Sequence, residues 1–344
     1  MAAFEGRRAA AILGCAGPTL TADERAFFRE RRPLGFILFA RNIDTPDQVR
    51  RLVADLRACL DDADAPVLID QEGGRVQRLK PPHWRKAPPM APFGALYRRD
   101  PAAAAEALTL DVALIAAELT ALGIDVDCAP VLDVPAPDGH EIIGDRAFAD
   151  DPEIVAALGR VAADAFLANG VLPVAKHIPG HGRALADSHL ALPRVQAALA
   201  DLEARDFPPF RALADCPLGM TAHIVYDALD PDRPATSSAV VIGGLVRGRL
   251  GFDGLLMTDD LSMQPLTGGF EERAASARAA GCDIVLHCNG ERLEMEPALE
   301  GTGMMDAEGA RRWQAARARK SAPPAGFDAR AAVERLDALL AAHP

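Results

Sequence analysis

Short apolar runs bounded by Gly, Pro or Asp recur along the chain, at 10–14, 35–39, 66–69, 124–128, 171–175, 218–222, 254–258 and 283–287. Each is followed by a longer stretch with helical spacing, so the chain reads as alternating strands and helices. Most of the runs are apolar at nearly every position, as parallel strands covered on both faces are. Helix starts are marked between them. Thr21 with Glu24 three residues on forms a capping box. Thr45-Pro46, Asp100-Pro101 and Asp151-Pro152 each put Pro at the first helical position. They predict helices running to about Leu60, to Leu122 and to Asn169-Gly170. Residues 237–250 and 271–280 supply two more, and an amphipathic helix covers 331–341. Strict βα alternation predicts an α/β fold with a parallel sheet. Eight strands favour a closed (β/α)8 barrel of the TIM type over an open doubly wound sheet.

The length, 344 residues, admits two domains or one large barrel. The strand count and the lack of a linker decide for one: the Pro-rich stretch 81–92 sits inside a βα unit. The expectation is a single barrel over 1–344 with a helical tail after about residue 290. Apolar residues at 49% and charged residues at 25% exclude disorder for most of the chain. The formal charge of −12 and 5% aromatics argue against nucleic acid, which needs a basic footprint. No apolar run reaches the ~18 residues of a membrane helix. Arg7-Arg8 before an apolar stretch ending at Cys15 imitate a lipoprotein leader, but that stretch is shorter than a signal core and reads as a buried first strand. The six cysteines form no C-x-x-C pair, which suits free thiols in a reducing cytoplasm, the expected location.

Candidate chemistry gathers where strands end. The ends read Ile69-Asp70, Ala175-Lys176-His177, Ala222-His223 and Thr258-Asp259-Asp260. Charged residues directly after buried runs pack poorly, and in a barrel these positions share one face, where the βα loops begin. The Gly- and Pro-rich stretch 176–189, KHIPGHGRALADSH, reads as a loop on a rigid scaffold. Within it Asp187 and His189 are spaced so that the carboxylate can accept from one imidazole nitrogen. That fixes the tautomer and leaves the other nitrogen a proton shuttle near pH 7. Two other chemistries remain open at this point. His177, His181 and His189 with an Asp could ligate a metal, although not at zincin spacing. Lys176 could form a Schiff base, as in barrel aldolases.

The same residues carry a resemblance. The segment 176–189 resembles the signature of glycoside hydrolase family 3, in particular its bacterial β-N-acetylglucosaminidases. Residues 69–78 (IDQEGGRVQR), 143–148 (IGDRAF), 258–263 (TDDLSM), 220–226 (MTAHIVY) and 234–237 (PATS) agree with it in order along the chain. The resemblance implies a barrel without the C-terminal sandwich domain of larger family members. It implies an exo-acting, retaining enzyme that removes terminal β-linked GlcNAc, with no cofactor and no metal. Asp259 would be the nucleophile and His189, oriented by Asp187, the general acid/base. Asp70, Arg78, Arg146, Lys176 and His177 would hold the sugar; Asp260 reads as a supporting neighbour. Each arginine also has a plain alternative: Arg75 or Arg78 paired with Glu72, Arg146 with Asp150 or Asp151. His223 stays unassigned between lining the site and packing; His83, His140 and His287 read as structural or exposed. The family further implies a small GlcNAc-containing disaccharide or muropeptide of cell-wall recycling as substrate, acted on by a monomer with no membrane or nucleic-acid partner. A β-glucosidase or glycosyl phosphorylase of the same family is the nearest alternative.

Overall fold

A strand covered on both faces divides its side chains by alternation: one set meets the helices, the other meets the opposite strands. The computed structural model describes residues 8–137, 142–184, 192–263 and 266–342. Eight strands close a ring: β1 (Ala9–Gly14), β2 (Pro33–Leu38), β3 (Val67–Ile69), β4 (Val126–Asp127), β5 (Leu172–Ile178), β6 (Leu218–Thr221), β7 (Leu255–Asp260) and β8 (Ile284–His287). Neighbours around the ring are neighbours in sequence, and every pair is parallel. All eight apolar runs thus become barrel strands. Ala10 and Ile12, Leu172 and Val174, Leu218 and Met220, Leu255 and Met257, and Ile284 and Leu286 form one cluster filling the barrel. The residues between them, such as Ala11, Leu13, Leu256 and Val285, pack in a second cluster with the surrounding helices.

The helix signals behave as their chemistry requires. Thr21 and Glu24 form the reciprocal capping box of Ala22–Arg31. Thr45, Asp100 and Asp151 cap Pro46–Cys59, Pro101–Thr120 and Pro152–Ala168, each with Pro in the first turn. One prediction needs correction. The stretch 237–250 is not a single α-helix but a 3-10 turn, Ala235–Ser237, and a π-helix, Val240–Arg249. Gly243, Gly244 and Gly248 fall inside it, and with no side chains to pack they do little to enforce the tighter winding. All six cysteines are buried and free. No helix among the described residues is long and apolar enough to cross a membrane.

After β8 come helices Arg292–Thr302, Ala307–Ala318 and Ala329–Ala341. The middle one seals the barrel. Trp313 and Ala316, with Met305 just before the helix, join the interior cluster. They enter at the N-terminal strand ends: Met305 N donates to Arg8 O just before β1 (2.9 Å), and Arg312 Nη1 to Asp283 just before β8 (2.8 Å). Asp283 also accepts from Leu256 N of β7 (2.8 Å) and from Arg247 (2.7 Å). That end is stoppered, and the charged strand ends lie at the other, C-terminal end of the barrel. Trp313→Ala should therefore lower stability by about 3–5 kcal/mol, read from urea midpoints. Trp313→Phe should cost much less, because it keeps a ring and removes an indole N–H that has no hydrogen-bond partner.

Candidate active site

The site begins directly after β3. Asp70 is followed by an antiparallel hairpin, Gln71–Gly73 with Val76–Gln77. Its turn uses Gly73 (φ +95) and Gly74 (φ +57), and a Cβ on Gly73 would lie 2.2 Å from the Pro88 carbonyl oxygen. Only glycine fits there. The hairpin brings Arg78 back beside Asp70, where Nη2 donates to Oδ2 at 3.0 Å. The Gln71 carboxamide oxygen accepts from the backbone N–H of Arg78 (2.9 Å) and Leu79 (3.0 Å), which locks the return. The Arg78 guanidinium also lies over the Phe39 ring, 5.0 Å from its centroid.

Consecutive strand residues normally face opposite sides. The pairing of β5 with β6 slips between Ala175 and Ile178, and both Lys176 and His177 reach the same cavity. Lys176 Nζ lies 2.9 Å from Asp70 Oδ1 and 2.6 Å from Glu72 Oε1. Arg146 grips Glu72 with two bonds, Nη2 to Oε1 (2.7 Å) and Nε to Oε2 (2.8 Å). The result is one alternating row, Arg78–Asp70–Lys176–Glu72–Arg146. Burial alone would raise the Asp70 and Glu72 carboxyls. For Asp70 the Lys176 and Arg78 cations outweigh it and hold the group well below the carboxylate range; for Glu72, Arg146 and Lys176 bring it to about 2. Burial would lower the Lys176 ammonium, but Asp70 and Glu72 hold it above its ordinary value. A Schiff base needs the free amine, so this lysine is poorly suited to aldolase chemistry.

The plain alternatives for the arginines are corrected by this geometry. Glu72 pairs with Arg146 and Lys176, while Arg78 pairs with Asp70. Arg75 lies 3.3 Å from Asp145 and donates to the Ile143 carbonyl (3.1 Å), and Asp150 pairs with Arg98. His177 is fixed from below by Asp133, a buried carboxylate beyond β4. Its Oδ2 meets His177 Nδ1 at 2.7 Å, and its Oδ1 accepts from the backbone N–H of His177 (3.3 Å) and His181 (2.6 Å). With Nδ1 engaged on the carboxylate, His177 has Nε2 left for a ligand.

Asp259, near the end of β7, faces the same cavity of about 310 Å³ as Asp70, Arg78, Arg146, Lys176 and His177. Apolar walls come from Ile37, Phe39, Met220, Met263 and Leu286. The backbone N–H of Asp260 donates to Asp259 Oδ1 at 2.8 Å. The Asp260 carboxylate is occupied with scaffolding: Oδ1 accepts from Ser262 N (2.9 Å) and Cys288 N (3.0 Å), and Oδ2 from the Ser262 hydroxyl (2.6 Å). Six of the eight candidate residues are thus brought together. Asp187 and His189 lie outside the described residues. A wider hollow of about 740 Å³ runs along the Pro46–Cys59 helix and residues 121–123 and is lined by none of the charged strand ends. Among the described residues no group of three or more His, Cys, Asp or Glu side chains is placed to hold a metal ion.

Two bracing carboxylates, Glu72 and Asp133, are not among the site residues that the sequence predicts. Glu72 lies within the family-like string 69–78, and Asp133 follows β4 within APVLD.

A closed parallel barrel with cations and carboxylates interleaved at its C-terminal mouth is an enzyme scaffold suited to a ligand rich in hydroxyls. The chain belongs to glycoside hydrolase family 3: residues 19–303 match the family described as Glycosyl hydrolase family 3 N terminal domain. A beta-hexosaminidase of Alkalilimnicola ehrlichii is 43% identical over 283 residues, which is 81% of this chain and 80% of that protein. NagZ from Neisseria gonorrhoeae, solved in complex with N-trifluoroacetyl-D-glucosamine, superposes with a TM-score of 0.86 at 33% identity, over 97% of this chain and 98% of that one. A family 3 beta-N-acetylglucosaminidase from Paenibacillus sp. superposes with a TM-score of 0.85 at 32% identity, over 96% of this chain. This chain spans 66% of the Paenibacillus protein.

Beneath the row of charges lies Asp127, with no exposed surface. Its Oδ1 accepts from Gln71 N (3.0 Å), and its Oδ2 has no hydrogen-bond partner. Burial pushes its carboxyl up to about 8. Between the unfolded value of ~3.9 and about 8 the folded chain holds a proton that the unfolded chain releases. The contribution of Asp127 to stability therefore falls as pH rises through that window, opposite in sign to those of Asp70 and Glu72, which are lost as pH falls. Asp127→Asn should gain stability relative to the parent between pH 5 and 7.5, by no more than about 1.4 kcal/mol per pH unit, in urea midpoints.

Proposed function

We propose that the protein is a retaining, exo-acting β-N-acetylglucosaminidase that removes terminal β-linked GlcNAc, with GlcNAc joined to 1,6-anhydro-N-acetylmuramic acid, or its peptide-bearing form, as substrate in cell-wall recycling. One observation carries the reading most: Asp259 faces a cavity also lined by Arg78, Asp70, Lys176 and Arg146, which Glu72 ties into one row from behind. The beta-hexosaminidase relatives and the glucosamine derivative in the Neisseria enzyme supply the sugar. Asp70, already charged and oriented, accepts from sugar hydroxyls; Arg78, Lys176 and Arg146 donate to hydroxyl and amide oxygens, and His177 offers Nε2.

In the first displacement a carboxylate oxygen of Asp259 bonds to the anomeric carbon as the glycosidic C–O bond breaks. The departing oxygen takes the proton of His189, which Asp187 orients. In the second, His189 removes a proton from water, whose oxygen bonds to the same carbon and displaces Asp259. Two inversions give net retention. A histidine acid has no charge to repel an anionic acceptor, so the phosphorylase alternative is separated by assaying with and without phosphate.

Aryl β-GlcNAc should be hydrolysed well and aryl β-glucoside poorly, with no dependence on phosphate. Asp259→Ala should abolish turnover, and His189→Ala should lower kcat by about 10²–10⁴-fold on a substrate with a poor leaving group. Undiminished hydrolysis by Asp259→Ala overturns the mechanism. Cleavage of the glucoside alone overturns the sugar assignment but leaves the chemistry standing.

A further inference from the structure

His223 lies two residues beyond β6, has no exposed surface and does not line the cavity. Its Nε2 lies 3.1 Å from the backbone oxygen of Asp260, and its Nδ1 lies 2.7 Å from the Thr236 hydroxyl. A carbonyl only accepts, so Nε2 carries the proton and Nδ1 must accept. Thr236 then donates its hydroxyl proton to Nδ1 and receives one from Thr221, whose Oγ1 is 2.8 Å away. The Ala222 carbonyl, at 3.1 Å, is the longer alternative for the same proton. Burial pushes the imidazole down against the pull of the Asp259 and Asp260 carboxylates, with Arg273 adding to the downward shift, which suits the neutral ring this network requires.

The residue held at the far end is the one that touches Asp259. Asp260 is gripped by its carbonyl through His223 Nε2 and the Met263 N–H, each at 3.1 Å, and by its carboxylate through Ser262 and Cys288. Its remaining group, the N–H, donates to Asp259 Oδ1. We propose that His223 is a positioning residue for Asp259, acting through the Asp260 peptide and kept in the Nε2–H tautomer by the Thr221–Thr236 hydroxyl relay. The inference rests on Asp259 being the nucleophile. A nucleophile aimed through a peptide handle loses reactivity when the handle turns, while the sugar contacts of Asp70, Lys176 and Arg78 stay in place. The effect should therefore fall on kcat and spare KM.

Two substitutions separate the halves of the imidazole. His223→Gln places an amide N–H where Nε2 was and can still donate to Asp260; His223→Asn reaches only the Thr236 side. With aryl β-GlcNAc, His223→Asn should lower kcat by about ten- to a hundredfold with KM within about twofold. His223→Gln should recover most of the loss, at matched urea midpoints. Equal losses in both variants, no loss in either, or a change confined to KM would overturn the proposal. Asp259→Ala is assayed alongside. If it is inactive while both His223 variants match the parent, the His223 proposal alone fails; if it retains turnover, the nucleophile assignment fails and the handle has nothing to aim.

Discussion

An ammonium group in the interior of a protein is stable only if anions meet it there, and Lys176 is met by two. Its contacts to Asp70 and Glu72, at 2.9 and 2.6 Å, tie together strand β5, the end of β3 and the hairpin that follows. Taking such charges out of water costs several kcal/mol per ion, so every member needs its partners, and a row with one member missing strands a buried charge. The pairs at the two ends, Arg78 with Asp70 and Arg146 with Glu72, complete the row, in which three cations face two anions and each carboxylate meets two cations. The same arrangement has a functional meaning. Groups already desolvated, charged and oriented need little reorganisation on meeting a polar ligand, which is the physical content of preorganisation.

Around that row the barrel supplies rigidity from two directions. Asp133 holds the start of the Gly- and Pro-rich loop by binding the backbone at His177 and His181 as well as the His177 ring. Asp260 holds the end of β7 by spending its carboxylate on Ser262 and Cys288. In each carboxylate one oxygen accepts from two backbone N–H groups and the other meets a side chain, the His177 ring or the Ser262 hydroxyl. The adjacent aspartates 259 and 260 both border the cavity, but the Asp260 carboxylate is folded into its own turn by Ser262 and Cys288.

How much of this was legible in the sequence follows from range. Parallel strands buried on both faces write near-continuous apolar runs, and all eight runs proved to be barrel strands. Capping is decided within four residues, so Thr21, Thr45, Asp100 and Asp151 mark helix starts without knowledge of the fold. Charged residues after buried runs pointed to one mouth, and Asp70, Lys176, His177 and Asp259 are there. Arg78 and Arg146, assigned through family resemblance, line the same cavity. Partner choice was not legible. Arg146 finds Glu72 across 74 positions rather than Asp150 or Asp151 nearby, because satisfying a buried carboxylate outweighs pairing at an exposed one. The winding of 240–249 escaped for a related reason: with three glycines its own preferences are weak, so packing decides.

Trp313 also bears on the order in which the protein can become itself. The lining of the barrel is drawn from all eight strands, yet its floor arrives only with Ala307–Ala318, the second helix after the last of them. While the chain is still being made, the strands that have emerged can associate, but the tube they form stays open to water from below. Its apolar lining is then wet and adhesive, the condition in which partly made proteins stick to one another. The final helices act as a closing stitch, and a chain cut short before them would carry nearly all of the site's charged residues on a barrel that cannot be dry.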